Sequence, residues 1–219
     1  MINNGYKILF FAFFVLSFVA CKQNNEDPNL RKSYWDNGNL KSELRYEDGQ
    51  LNGLCTWFYE SGKPQMSIRY KNNKMMGESI RWFDNGEIES RYYYVDNKLD
   101  SVYQLFNYNG IMTEESYYVN DTLDGPYRKW YADGALLVDG GYKKGMMDGS
   151  WLTFYPDGEI SSRTMFNMGS GFQVGYHQNN YKVLELSYKD NLKHGTETHF
   201  DGEGNITKIL KYEEGILVE

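Results

Sequence analysis

The chain has 219 residues, of which 17% are aromatic, with 22 Gly, 20 Tyr and only 4 Pro. A composition this rich in aromatic residues excludes an intrinsically disordered chain. The formal net charge of −7 argues against a nucleic-acid partner, because nucleic-acid binding needs a basic surface. Two cysteines are too few to build a disulfide framework.

The first 20 residues predict a secretory signal peptide. A polar start that carries Lys7 is followed by an apolar run over residues 8–20, in which Ser17 is the only polar side chain. That run is too short to span a bilayer, since a membrane helix needs about 20 apolar residues. A short anchor helix that is never cleaved is the alternative.

The residues that follow favour cleavage. Phe18-Val19-Ala20-Cys21, followed at once by a polar stretch over residues 22–29, resembles the bacterial lipobox, although Phe18 stands where the lipobox usually has Leu. The resemblance implies that the chain is cut before Cys21, that the thiol of Cys21 is lipidated and that its new amino group is acylated. More than one acyl chain gives stable membrane anchoring.

The predicted organisation has three parts: a signal peptide (1–20), the lipidated Cys21 with a polar tether (21–29), and a repeat array (30–219). Removal of residues 1–20 takes away Lys7 and changes the net charge from −7 to −8. Lys22 differs from the Asp that marks inner-membrane lipoproteins. The resemblance therefore implies the bacterial cell envelope, at the outer membrane, with the periplasmic or surface side left open.

The rest of the chain is a repeat. Turn glycines recur every 24 residues, Asn180 follows the sixth glycine after 22 residues, and the last glycine follows after 24. This series is Gly38, Gly62, Gly86, Gly110, Gly134, Gly158, Asn180 and Gly204. A second series is Gly53, Gly77, Ser101, Gly125, Gly149, Gly171 and Gly195. One aromatic ladder is Tyr34, Phe58, Trp82, Phe106, Trp130, Phe154, Tyr176 and Phe200. The other is Tyr46, Tyr70, Tyr94, Tyr118, Tyr142, Phe166, Tyr188 and Tyr212.

Each repeat predicts a β-hairpin. Asn37-Gly38 and Asp157-Gly158 supply the positive φ angles that tight hairpin turns need. After each turn apolar and polar residues alternate, as on a half-buried strand. Because spacings of 24 and 22 are both even, every unit keeps the same residues on the same face. The predicted fold is all-β: about eight stacked antiparallel hairpins that form one long twisted sheet, with Leu51, Met75, Leu99, Leu123 and Met147 packed inward at the unit junctions.

Four segments carry a family resemblance: Phe58-Tyr59-Glu60-Ser61-Gly62, Trp82-Phe83-Asp84-Asn85-Gly86, Trp130-Tyr131-Ala132-Asp133-Gly134 and Phe154-Tyr155-Pro156-Asp157-Gly158. The pattern resembles MORN repeats, and most closely the bacterial variant form that is labelled antitoxin-like. The resemblance implies a MORN-like solenoid that acts as a scaffold for protein partners; lipid binding is also implied. Asn107 departs from the pattern at the second aromatic position and Asn180 at the glycine. The short seventh unit is expected to be a bend or a contact point.

No motif predicts catalysis, a metal site or a cofactor. His194 and His199 lack the further ligands that a metal site needs. Cys55 is expected to be a packed side chain. Adjacent acids such as Glu114-Glu115 point to opposite faces of a strand and cannot form a catalytic pair. The chain is therefore predicted not to be an enzyme.

The favoured function is that of a membrane-anchored scaffold that binds an envelope protein through its sheet. Interfaces favour Trp and Tyr, so the candidate binding residues are the aromatic residues outside the two ladders. They are Trp57, Tyr93, Tyr103, Tyr117, Tyr127 and Trp151. Glycan binding at the cell surface is the first alternative and an antitoxin-like role the second. Lipid binding by the repeats is disfavoured by the negative charge.

Two triplets, Asp100-Ser101-Val102 and Asp121-Thr122-Leu123, resemble a three-residue O-glycosylation signal. Both are expected in loops between units, where an attached sugar would keep the loops free of partners.

Overall fold

The structure, a computed structural model, describes residues 27–219. The predicted signal peptide, the lipidation site at Cys21 and most of the tether lie outside the described residues. Within residues 27–219 the regular elements are all β-strands, and no helix there is long and apolar enough to cross a membrane. The strands are β1 Leu30–Tyr34, β2 Leu40–Glu47, β3 Gln50–Leu51, β4 Gly53–Phe58, β5 Pro64–Lys71, β6 Lys74–Trp82, β7 Ile88–Val95, β8 Lys98–Phe106, β9 Met112–Val119, β10 Thr122–Trp130, β11 Leu136–Lys143, β12 Met146–Met147, β13 Gly149–Phe154, β14 Ile160–Asn167, β15 Ser170–Tyr176, β16 Lys182–Lys189, β17 Leu192–Phe200, β18 Ile206–Glu213 and β19 Ile216–Leu217.

These strands form one antiparallel sheet in which each strand pairs with the next along the chain, except at β3–β4 and β12–β13. The short strands β3 and β12 pair with β2 and β11, and β4 and β13 pair with the same two neighbours. Each short strand is therefore the first part of a long strand that is interrupted once. The predicted all-β sheet of stacked hairpins is confirmed.

The predicted turns lie at one end of the strands. In the first of them, the Trp35 carbonyl accepts a hydrogen bond from Gly38 N–H at 2.9 Å, and Gly38 has φ +86°. This is a type I turn closed by a residue in the left-handed region. The same pattern recurs at all eight predicted positions, and Asn180 takes the glycine place with φ +63°. Asn tolerates that conformation better than most residues, which explains the substitution.

A second set of turns closes the other end of the strands, and the sequence analysis did not find it. Each is a two-residue turn in which both residues have positive φ, such as Asn72 (51°) and Asn73 (63°). Positive φ at both positions defines the type I′ turn, whose twist suits a hairpin. The eight turns are Asp48-Gly49, Asn72-Asn73, Asp96-Asn97, Asn120-Asp121, Lys144-Gly145, Met168-Gly169, Asp190-Asn191 and Glu214-Gly215.

The second glycine series marks bulges inside strands. Between β5 and β6 the register changes by two residues: Tyr70 pairs with Met75, whereas Ile68 pairs with Ser79. Gly77 lies within this bulge and has φ +88°. Its counterparts Gly53, Ser101, Gly125, Gly149 and Gly195 also have positive φ. Glycine is favoured at these positions because the bulge requires the left-handed region, and Ser101 is the exception.

The short unit lacks this bulge. Strands β14 and β15 pair without any register shift from Ser162–Gly175 to Asn167–Ser170, and Gly171 is not in the left-handed region. The two residues missing from its length are therefore the two residues of the bulge. Because the deletion is even, Phe166 and Tyr188 stay on the same face as the other members of their ladder, as predicted.

Both ends of the sheet are tied from unit to unit. At the end of the strands that carries the glycine-closed turns, tyrosine hydroxyls donate hydrogen bonds to backbone carbonyls of the following unit. Tyr59, Tyr131 and Tyr155 donate to the carbonyls of Trp82, Phe154 and Tyr176 at 2.7–2.8 Å. At Asn107, which departs from the aromatic pattern, the side-chain amide donates to the Ala132 carbonyl at 3.0 Å instead. The second aromatic position of the motif therefore serves to join neighbouring units.

Candidate binding face

One face of the sheet is aromatic along its whole length, and we call it the aromatic face. Its outermost row is the predicted ladder of Tyr46, Tyr70, Tyr94, Tyr118, Tyr142, Phe166, Tyr188 and Tyr212. Every member after Tyr46 lies opposite a member of the second glycine series, as Tyr70 does with Gly53 and Tyr94 with Gly77. Leu51, Met75, Leu99, Leu123 and Met147 pair with the ladder from the other side and are half-buried, consistent with their predicted inward packing.

A second row of aromatic rings lies beside the ladder in the middle of this face. Tyr92 and Tyr103 stack with ring centroids 5.1 Å apart, and Tyr127 and Trp151 stack at 5.5 Å. Tyr142 meets Trp151 edge-on at 5.1 Å. Offset-stacked and edge-to-face pairs are the favourable arrangements for aromatic rings. The rings are therefore held in fixed positions although they stay half-exposed.

The structure divides the six candidate binding residues between the two faces. Trp57, Tyr103, Tyr127 and Trp151 lie on the aromatic face, where all four are half-buried. Tyr93 and Tyr117 point to the opposite face, since they pair with Glu78 and Val102; Tyr93 is 43% exposed. A single flat partner can contact the first four together but not all six.

A hollow of about 310 Å³ opens in the aromatic face between β10 and β16. Tyr127, Tyr142, Trp151, Phe166 and Tyr188 form its aromatic wall, and Met147 lies beside them. Lys129, Val138, Thr153, Ser162, Thr164 and Gln173 form its floor and far side. Of this set, only Tyr127 and Trp151 were predicted as binding residues, whereas Tyr142, Phe166, Tyr188 and Met147 were predicted only as repeat positions.

The hollow exists because small side chains meet in neighbouring strands. Val138, Thr153 and Ser162 pair in succession across β11, β13 and β14. The same row is occupied by Met66 and Arg81 in earlier units. Since these positions are 15 and 9 residues apart in the chain, only the strand register shows that the small residues are adjacent.

The floor of the hollow is a chain of hydrogen bonds. The Tyr188 hydroxyl donates to Gln173 Oε1 at 2.9 Å, and Gln173 Nε2 donates to Ser162 Oγ at 2.9 Å. Ser162 Oγ and Thr153 Oγ1 are 2.6 Å apart. Paired polar groups in a partly buried site rigidify it. The hollow is therefore a pre-formed, polar-floored cleft.

Lys129 supplies the charge at the edge of the hollow, and it is already paired. Its ammonium lies 3.3 Å from Glu114 Oε2 and 5.9 Å from the ring centroid of Tyr127. The neighbouring Tyr127 raises the pKa of Lys129, and Glu114 adds to the effect. The lysine therefore stays protonated and neutralised by its partner.

Burial shifts the tyrosines of this face. It raises the pKa of Tyr127, Tyr142 and Tyr188, and burial with the nearby Tyr92 raises that of Tyr103 to about 12. Removal from water disfavours the phenolate form. These hydroxyls are therefore neutral hydrogen-bonding groups near neutral pH and do not serve as bases.

The opposite face carries crossed charges, and we call it the charged face. Arg91 pairs with Glu78 at 3.2 Å, and Arg128 with Asp139 at 3.0 Å. Exposed pairs of this kind contribute little to stability and keep a surface hydrated. One apolar patch interrupts this face: Met165 and Phe172 lie directly opposite each other and are 67% and 50% exposed. The sequence analysis did not single out either residue.

The candidate reactive groups do not assemble a catalytic site. Cys55 is fully buried, and burial raises the pKa of its thiol, which confirms the prediction of a packed side chain. Residues 27–219 hold no cluster of three or more potential metal ligands. Glu197, 6% exposed, contacts Lys193 and His199 at 2.7 Å each. Burial alone would raise the pKa of Glu197, but these two hydrogen bonds hold it below its ordinary value.

The triplets that resemble glycosylation signals are placed differently from expectation. Asp100-Ser101-Val102 lies inside β8, at the bulge, and not in a loop. Asp121 is the second residue of a two-residue turn, and Thr122 begins β10. The Asp121 carboxylate accepts a hydrogen bond from Leu99 N–H at 2.7 Å, so it has a structural role in joining two units.

Three segments of the sheet match the model of a known repeat family. The model of the MORN repeat variant matches residues 29–48, 51–72 and 147–168. Three units of the chain are therefore similar to MORN repeat variants. Each MORN match ends in a two-residue turn, at Asp48, Asn72 and Met168. Each matched segment therefore covers a pair of strands joined by a glycine-closed turn. No curated protein matches the chain.

Proposed function

We propose that this chain is a non-catalytic, lipid-anchored binding protein of the bacterial cell envelope, and that it holds a protein partner on its aromatic face. One observation carries the proposal. In residues 27–219 every regular element belongs to a single sheet, so no second layer there covers the half-exposed aromatic face. Extended aromatic surfaces on soluble domains mark interaction sites.

The rings on this face are suited to binding because they are already ordered. Trp151 donates its Nε1–H to the Gly141 carbonyl at 2.9 Å and is packed between Tyr127 and Tyr142. A partner that covers such rings gains apolar burial without paying for side-chain ordering. Trp and Tyr in partly buried positions are the residue types that dominate binding energies.

The address supports a membrane-bound form of this scaffold. The lipobox-like segment would place two or more acyl chains at Cys21, and residues 22–29 would link them to β1. We infer the outer membrane from Lys22. The antitoxin-like form of the repeat is a weaker alternative, because export removes the chain from the cytoplasm where such a partner would be neutralised.

The test compares two matched pairs of tyrosines in the full-length protein. The double variant Tyr103→Ala, Tyr127→Ala removes two tyrosine rings from the aromatic face. The double variant Tyr93→Ala, Tyr117→Ala removes two tyrosine rings from the charged face. Both forms are used to capture proteins from solubilised envelope of the native cell, and circular dichroism checks the fold. We expect the first pair to reduce capture of the dominant protein at least tenfold and the second to leave it unchanged. The reverse pattern, or capture of no protein, would overturn the proposal.

The anchor is tested separately. Cys21→Ser is expected to abolish incorporation of labelled fatty acid into the protein, because the acyl chains are proposed to be attached at this residue. Unchanged labelling of Cys21→Ser would contradict lipidation at this residue.

A further inference from the structure

We propose that the hollow in the aromatic face is a binding site for the ring of a neutral saccharide. This activity goes beyond the proposed protein partner. It rests on a different feature, the composition of one cavity, and either proposal can fail without the other.

The dimensions fit a small ligand. At about 310 Å³ the hollow lies at the lower end of the ~300–1,000 Å³ range of small-molecule sites. Its walls are held in place before any ligand arrives, by the stacked rings on one side and by the hydrogen-bonded floor on the other. A pre-formed cleft of this size accommodates one or two six-membered rings and excludes a folded domain.

The two sides of the hollow differ in chemistry in the way a pyranose ring does. Tyr127 and Trp151 stack on each other and stay half-exposed, and an exposed ring face carries the negative part of the aromatic quadrupole. A pyranose presents polarised C–H groups on its ring face, which such a surface attracts. Its edge carries hydroxyl groups, and the floor offers hydroxyls and an amide at Thr153, Ser162 and Gln173 that can donate and accept.

Other ligand classes fit less well. A fully apolar ligand would remove water from the floor without replacing its hydrogen bonds, which is costly. A phosphate or carboxylate ligand needs a free cation. Among residues 27–219, Lys129 is the one charged residue that lines the hollow, and Glu114 already neutralises it at 3.3 Å. The neutral, hydroxyl-rich ligand is therefore the one that matches.

The short unit helps to make this site. In a full-length unit, Tyr70 pairs with Gly53 in one neighbouring strand and with Met75 in the other. Phe166, at the hollow, has Gly149 and Gly171 as its two neighbours, because the missing bulge brings Gly171 into the place that Met75 holds elsewhere. A β-carbon on Gly171 would come within 2.7 Å of the Phe166 ring. Phe166 can therefore pack down onto the backbone, 6% exposed, at the edge of the cavity.

The experiment uses the full-length protein in a zwitterionic detergent without a sugar headgroup. The probes are cellotetraose, maltotetraose and mannotetraose, and binding is measured by titration calorimetry together with tryptophan fluorescence. Val138→Phe fills the hollow with an apolar ring and breaks no side-chain hydrogen bond. Leu105→Phe is the matched control, since Leu105 lies on the same face outside the hollow.

We expect at least one tetrasaccharide to bind, Val138→Phe to weaken its binding at least tenfold, and Leu105→Phe to change it less than twofold. Should Val138→Phe fail to fold, Thr153→Val removes one floor hydroxyl at nearly constant volume and is expected to weaken binding several-fold. Absence of binding by all three probes, or equal binding to Val138→Phe, overturns the proposal. So does an apolar dye that binds the hollow when the sugars do not. Saccharide binding is measured on the purified protein and protein capture on solubilised envelope, so the two proposals fail separately.

Discussion

The indole ring of Trp151 occupies the space that a side chain on Gly140 would need. A β-carbon built on Gly140 would lie 2.3–2.7 Å from three atoms of the ring. Tyr127, in the strand on the far side of Gly140, leans over the same residue and stacks on Trp151. The glycine thus lets two rings from non-adjacent strands meet, and this contact builds the centre of the aromatic face and one wall of the hollow.

Gly140→Ala tests this contact. A methyl group at this place forces Trp151 to move, and we expect a loss of about 1–3 kcal/mol in the free energy of unfolding, as for other overpacked sites. Urea unfolding measures the loss. Gly202→Ala is the control, because its β-carbon would be 3.6 Å from the nearest atom, on Tyr181. An effect at Gly140 no larger than at Gly202 would show that Trp151 does not lie where the structure places it.

Asn191 bridges the short unit and gives a second prediction. Its Oδ1 accepts from Met147 N–H at 2.8 Å, and its Nδ2 donates to the Gly145 carbonyl at 2.9 Å, across a separation of 44–46 residues. Asn191→Ala should lower the free energy of unfolding by about 1–2 kcal/mol through loss of both bonds. Asn191→Asp keeps the first acceptor, as Asp121 does in its own turn, and should cost less. Hydrogen exchange at the Met147 amide should accelerate in Asn191→Ala only; unchanged exchange there would argue against the bridge.

The left-handed conformation of Asn180 can be tested by itself, because no side-chain hydrogen bond of Asn180 is found within residues 27–219. Asn180→Ala places a less tolerant residue at φ +63° and should cost about 1 kcal/mol, whereas Asn180→Gly should be close to neutral. Asn179→Ala, one residue earlier and outside the left-handed region, is the control. Equal thermal stability of Asn180→Ala and Asn179→Ala would contradict the turn geometry.

A fourth prediction concerns alkaline pH. The pKa of Tyr103 is raised from its ordinary 10.0 to about 12, mainly by burial. A group whose pKa is higher in the folded state contributes stability that is fully present below its unfolded pKa and is lost as the pH rises through the folded value. The free energy of unfolding should therefore fall between pH 10 and about 12. In Tyr103→Phe the fall should be smaller; an identical pH dependence in both proteins would show that Tyr103 is not buried as described.

Much of the fold follows from the sequence because the repeat is carried by residues with strict local demands. The glycine that closes each turn of the first set needs φ near +90°, and Gly62, Gly86 and Gly158 therefore recur at a fixed spacing. The tyrosine ladder recurs because most of its rings lie over a glycine of the neighbouring strand, as Tyr94 does over Gly77. Both signals are visible without a structure.

The two-residue turns were missed because their residue types vary. Asp48-Gly49 is a recognisable turn signal, but Lys144 and Met168 adopt positive φ as the first residue of such turns without belonging to the usual turn residues. The second glycine series did not predict bulges, because a bulge and a turn make the same demand on φ. Only the register between β5 and β6 tells them apart.

The hollow could not be predicted, because it is made by missing bulk. Val138, Thr153 and Ser162 are unremarkable in sequence, and their adjacency depends on the pairing of three strands. The assignment of candidate binding residues had the same weakness. Tyr93 and Tyr117 resemble Tyr103 and Tyr127 in sequence. They lie on the other face because successive side chains along a strand point to opposite faces of the sheet.

The central claim is that the aromatic face, and not the charged face, contacts a protein partner, and photocrosslinking in the native cell tests it most directly. A photoreactive phenylalanine analogue is placed at Tyr127 in one form of the full-length protein and at Tyr117 in another. These residues lie one strand apart on opposite faces, so the two forms differ in little but the side that is probed. The account predicts a discrete crosslinked protein from position 127 and none from position 117. A crosslink from position 117 alone would contradict it.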